Sequence, residues 1–159
     1  MSLILGVDPG QRGAFGILDA TGGFQSVADL PIISDKSLTW IDGGAFQSML
    51  LDAIGGRQCR AVVERVSAMP KQGVASSFAF GCGFGSILGV LQAMHLPIEL
   101  ITPGAWKRGL GLDSDKKASL HRARLLFPTA ELHLAKHEGR SEALLIAHYA
   151  RTRTAKATT

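Results

Sequence analysis

The chain has 159 residues, of which 46% are hydrophobic and 19% charged. That length supports one domain that buries about 70% of its unfolded surface, and the composition excludes a disordered or fibrous chain. A net charge of +4 and a pI of 9.4 are compatible with an acidic partner such as nucleic acid but do not require one.

In chain order, LILGVD (3–8) is a short apolar run ending in a turn, and AFGILD (14–19) follows closely enough to form a hairpin with it. A Thr-Gly-Gly turn leads into FQSVADL, which makes a third strand. After an irregular stretch, AFQSMLLDAI (45–54) has helical spacing and stops at Gly55-Gly56. RAVVERV (60–66) reads as a buried strand, and 76–94 as a long apolar helix capped by Ser76 or Ser77. PIELIT (97–102) is another strand, and Pro103 suits the first turn of a short helix carrying Trp106 and Lys107. Asp113 or Ser114 can cap a helix running to Phe127, which Pro128 ends. A last helix occupies HEGRSEALLIAHYA (137–150), and the polar tail TRTAKATT (152–159) is expected to fray.

A meander followed by helices alternating with strands predicts one α/β domain over residues 1–159, a mixed sheet with helices on its faces. The aromatic content of 6% argues against a β-sandwich. The start MSLILGVDPG lacks the basic segment of a signal peptide, and no apolar stretch is expected to span a membrane. Cys59 and Cys82 lack metal-ligand spacing and suit buried small side chains in a reducing compartment, so the expected location is cytoplasmic. Basic residues concentrate in the second half: Lys107, Arg108, Lys116, Lys117, Arg122 and Arg124, then Arg140, Arg151, Arg153 and Lys156.

The acids are placed unusually. Asp8 closes an apolar strand, and Glu64 sits among Val62, Val63 and Val66. A strand-end acid facing water explains either one alone, whereas both together suggest pairing with a cation. Glu138 and Glu142 lie four apart in the last helix, and Glu142 shares a stripe with Leu145, Ile146 and Tyr149. Like charges at this spacing cost about 0.2–0.5 kcal/mol. The helix N-terminus returns about 0.3–1 kcal/mol per acid in its first turn, which explains Glu138 better than Glu142. A cluster of acids without Cys favours Mg²⁺ or Mn²⁺ over zinc. Two such ions about 4 Å apart support phosphodiester hydrolysis.

GVDPG (6–10), VVERV (62–66), MPKQGVASSFAFGCGFGSILGVL (69–91), ITPGAWKRGL (101–110), DKKAS (115–119) and GRSEALLIAHY (139–149), in this order, resemble the RuvC-type Holliday junction resolvases of the ribonuclease H-like superfamily. The likeness is greatest to the short phage-type branch. It implies a five-stranded mixed sheet, with a three-stranded antiparallel meander plus parallel strands, flanked by helices. It also implies a homodimer that makes paired, symmetric, Mg²⁺-dependent nicks in four-way DNA junctions, with two ions per active site and Mn²⁺ able to substitute.

By position, the resemblance puts Asp8, Glu64 and Glu142 on metal ligands, with Glu138 or His137 completing the set. The better-known bacterial enzymes place that fourth residue where this chain has Gly139, and they favour Asp over Glu in this helix. Lys116 matches a basic residue near the scissile phosphate and Lys107 a second basic position; Lys117 suits a solvated helix face. Arg12, Arg65, Lys71, Gln72, Arg108 and, as the alternative to a solvated face, Lys117 are candidate DNA contacts. Arg140 suits either a phosphate contact or a brace for Glu64 or Glu138. Met69 and Phe78 are candidate wedges at the crossover, although Phe78 equally suits the core.

Gly81, Gly85 and Gly89 share one face of the long helix. They suit either packing on the sheet or a helix-to-helix dimer contact. Three further readings compete with a resolvase: a nuclease with broader taste for branched DNA, a non-catalytic junction-binding protein, and an actin-like nucleotide-binding domain suggested by GVDPG.

Overall fold

The computed structural model describes residues 2–10, 13–35, 39–67 and 73–157, with the side chains of Lys116 and residues 155–157 left aside. Its strands are β1 (Leu3–Asp8), β2 (Ala14–Asp19), β3 (Phe24–Asp29), β4 (Ile32–Ser34), β5 (Thr39–Ile41), β6 (Cys59–Glu64) and β7 (Ile98–Ile101). Its helices are α1 (Gly43–Ile54), α2 (Val74–Ala93), α3 (Pro103–Gly109), α4 (Lys116–Leu126) and α5 (Glu138–Ala157), the last entered through a 3-10 turn at Ala135–His137. Five strands form one mixed sheet in the order β3-β2-β1-β6-β7. β1, β2 and β3 are the antiparallel meander, and β6 and β7 run parallel to β1.

Side chains alternate along the central strand. Leu3, Leu5 and Val7 enter a core under α1 and α2 with Phe46, Leu50, Ile87 and Leu91. Ile4 enters the opposite core, with Val62, Trp106, Leu144 and Leu145, beneath α3, α4 and α5. By the same alternation Asp8 and Glu64 project on the α5 side.

What brings α5 close is the absence of two side chains. Gly6 and Gly16 are register partners in β1 and β2. A Cβ on Gly6 would sit 2.1 Å from the Ala143 carbonyl oxygen, and one on Gly16 2.8 Å from Leu144 Cδ2. The helix backbone therefore lies directly on the sheet.

Several elements depart from the sequence reading. The irregular stretch after β3 contains a two-stranded ribbon, β4 with β5, whose three-residue strands are too short to show alternation. α2 begins at Val74 behind Gly73 and has no side-chain cap, so neither Ser76 nor Ser77 serves. α4 is capped by Asp115, whose carboxylate accepts from the Lys117 amide, in place of Asp113 or Ser114. The polar tail remains helical to Ala157. Arg60 Nη2 donates to the Ala150 carbonyl and to Thr154 Oγ1, and Arg153 pairs with Glu99, so the sheet edge holds the tail in place.

α2 overturns two further expectations. At 20 residues it is long and apolar enough to cross a membrane by length and composition, and little of it is buried. It also leaves Cys82 exposed, whereas Cys59 is half-buried and its thiol is pushed up to about 11 by that burial.

Candidate active site at the strand ends

β1 and β6 pair in parallel up to Val7 and Val63, and Asp8 and Glu64 are the next residue on each strand. Two carboxylates thus stand side by side at the C-terminal ends of adjoining central strands, where open α/β sheets place their ligands. Asp8 is buried, and its Oδ1 accepts from the Gly10 amide at 3.0 Å. Glu142 is buried in the second turn of α5, above the same face of the sheet. Glu138, one turn earlier, is half-buried.

α3 brings two consecutive side chains to these acids. Thr102 caps it by accepting from the Ala105 amide, and Pro103 fits its first turn. A Cβ on Gly109 would sit 2.2 Å from Tyr149 Cε2, so only glycine allows α3 to rest on α5 at that point. From this position the fully buried Trp106 donates from Nε1 to Glu64 Oε2 at 2.6 Å. Lys107 Nζ lies 2.9 Å from Glu142 Oε1 and 5.1 Å from the centre of the Trp106 ring. Lys107 was expected from sequence; Trp106 as the partner of Glu64 was not. A buried indole N–H must find an acceptor, but the sequence does not say which.

His137 is buried. Burial first, and then the neighbouring Arg140 charge, holds its imidazole below the usual value, so it is neutral at pH 7. Its Nδ1 lies 3.5 Å from the Leu134 amide nitrogen, a long contact.

Arg140 braces neither Glu64 nor Glu138. It grips both carboxylate oxygens of Asp29 on β3, at 2.7 and 3.0 Å, and reaches Glu131 Oε2 at 3.3 Å. Arg65, Arg108 and Lys117 are exposed. So is Phe78, at 68%, which removes it from the core. No described residue lies within 4 Å of a Cβ built on Gly81, Gly85 or Gly89, so that face does not pack on the described sheet. Arg12, Met69, Lys71 and Gln72 lie outside the described residues, as does the Lys116 side chain.

Among the described residues no three His, Cys, Asp or Glu side chains converge tightly enough to hold a metal ion. The donor set nevertheless has the right chemistry: oxygen ligands only, two of them buried. One of these already faces a cation, Lys107.

The strand order, with a helix lying across the central pair and acids at the strand ends, is an α/β fold shared with solved structures of RuvC. The structure of Thermus thermophilus RuvC in complex with a Holliday junction substrate matches with a TM-score of 0.69 over 100% of this chain and 98% of that one, at 16% identity. A second Thermus thermophilus RuvC structure matches with a TM-score of 0.59 over 97% and 96% of the two chains, at 15% identity. No protein-family profile matches the sequence. No curated protein matches it either.

Proposed function

We propose that this protein is a homodimeric endonuclease that resolves Holliday junctions by paired, symmetric hydrolysis of two phosphodiesters. The observation that carries the reading is the pairing of Asp8 with Glu64 at adjoining strand ends beneath the buried Glu142, in a chain that matches RuvC over its full length. Asp8, Glu64, Glu142 and Glu138 would hold Mg²⁺ or Mn²⁺, two ions per site. Glu138 would complete the set as a further oxygen donor, which suits Mg²⁺ better than the imidazole of His137. What the ions would supply is Lewis acidity toward the attacking water and the phosphate oxygens.

The remaining work belongs to the chain. Trp106 fixes the carboxylate of Glu64, and Lys107 offsets the charge of Glu142 until DNA arrives. Lys116 and Lys107 would then stabilise charge on the scissile phosphate. Arg65, Arg108 and Lys117, with Arg12, Lys71 and Gln72, would track backbone phosphates, and Phe78 and Met69 would wedge the unstacked crossover. Dimerisation would cover the glycine face of α2 and set two sites at opposed strands.

A synthetic mobile four-way junction with Mg²⁺ tests this. Wild-type protein should yield paired symmetric nicks, and Asp8→Asn should bind the junction without cutting it. Junction binding by the wild type with no nicking would instead leave a binding protein.

A further inference from the structure

At the end of the sheet opposite the acids lies a cavity of about 750 Å³. It is walled by residues that open the parallel strands, among them Leu3 of β1, Cys59 of β6 and Pro97 just before β7. A six-residue strand is roughly 17–20 Å long. The cavity and the Asp8 and Glu64 carboxylates therefore occupy separate ends of the molecule.

The charge lining this cavity has one sign: Arg57, Arg60 and Arg151 line it, and among the described residues no Asp or Glu does. Arg60 is partly offset, because its Nη1 lies 3.7 Å from Glu99 Oε2. Arg57 is not offset in this way. It donates to the carbonyls of Ile54 and Ala53 and to Gln25 Oε1, three neutral acceptors that fix the guanidinium without cancelling its charge. Arg151 carries a buried Nε that has no hydrogen-bond partner among the described residues. Gly22, at φ +98°, makes room for it: a Cβ there would sit 2.9 Å from that nitrogen.

Fixed guanidiniums with charge to spare are suited to planar, bidentate recognition of oxyanions, phosphate above all. Leu96 and Pro97 add an apolar wall beside the polar Ser2, Gln58 and Thr154, and the volume falls within the range of small-molecule sites. Inorganic phosphate would leave those walls unused. A duplex backbone, being convex, would not enter a recess among strand ends.

We infer that this cavity binds a phosphorylated small molecule of nucleotide size, with its phosphate on Arg57 and Arg151 and its body against Leu96 and Pro97. The inference is independent of the nuclease reading, and its test uses no cleavage.

The full chain is titrated by calorimetry with dAMP and with inorganic phosphate, in EDTA so that no divalent ion recruits either to the acids. dAMP should saturate and bind more tightly than phosphate, and Arg57→Gln should weaken it by about tenfold or more. Equal affinity for the two probes, or an unchanged Arg57→Gln, overturns the proposal. A second measurement needs no variant. Cys59 lines the cavity, and the exposed Cys82 on α2 serves as an internal standard. Saturating dAMP should slow alkylation of Cys59 relative to Cys82, read by peptide mass spectrometry. Absence of that protection, or protection by duplex DNA and not by dAMP, overturns it equally.

Discussion

Lys107 and Trp106 are neighbours in α3, and each holds one of the proposed ligand acids. The Lys107 and Glu142 side chains are only 17% and 8% exposed, so their attraction is poorly screened and an incoming cation must compete with the ammonium. Lys107→Met should therefore bind Mn²⁺ several-fold more tightly by calorimetry while cutting junctions more slowly, because the charge beside the phosphate is lost. An unchanged Mn²⁺ affinity would remove Glu142 from the ligand set. A second prediction concerns Asp29. Its carboxyl is held below the usual value chiefly by the Arg140 hydrogen bond, against the opposing effect of burial. A depressed acid stabilises the fold above its unfolded pKa, and that contribution is lost as pH falls through the lower folded value. The loss thus begins below about pH 3.8, the ordinary value for this group. Because the Asp29 side chain is 58% exposed, the contribution is under about 1 kcal/mol. Asp29→Asn should lower the urea midpoint slightly at pH 7 and flatten its fall in acid. An acid limb identical to that of wild type would show that the pair contributes nothing.

α5 holds its acids over the strand ends because Gly6 and Gly16 let its backbone rest on β1 and β2. Gly6→Ala drives a methyl into the Ala143 carbonyl, and overpacking of this kind costs about 1–3 kcal/mol or more. The expected result is a lower urea midpoint together with loss of cleavage, as the helix and its acids lift away; unchanged stability would contradict the close approach. Element type was legible wherever apolar periodicity ran long enough: the meander, the buried strand bearing Glu64 and the final helix follow directly from it. Glu142 was legible as an inward-facing acid because it shares a stripe with Leu145 and Ile146. What escaped was non-local. Nothing near Trp106 says that its indole reaches Glu64, 42 residues away, and nothing near Arg140 says that it prefers Asp29, 111 residues away, to the acids one turn from it. The β4–β5 ribbon escaped for want of length, and the helical tail because its partners, Arg60 and Glu99, lie across the sheet.

For the molecule as a whole the open question is what covers α2. Val74 and Phe78 are 89% and 68% exposed, and Gly81, Gly85 and Gly89 face open space. Each glycine costs about 0.8–1.0 kcal/mol relative to alanine within a helix. Among the described residues no group approaches that face closely enough to offset the cost. The cost is explained if another helix comes close there, and a twofold copy of α2 would also set two carboxylate sites at opposed strands. Gly85→Leu separates the two roles of the residue. In the single chain a Cβ at this position meets no described group within 4 Å, and leucine raises helix propensity, so the thermal midpoint of a monomeric sample should not fall. In the dimer it holds the two helices apart, so the sedimentation coefficient should drop toward that of one chain. Junction cleavage should then yield single unpaired nicks in place of symmetric pairs. Undiminished dimerisation with paired nicks would show that the glycine face is not the interface.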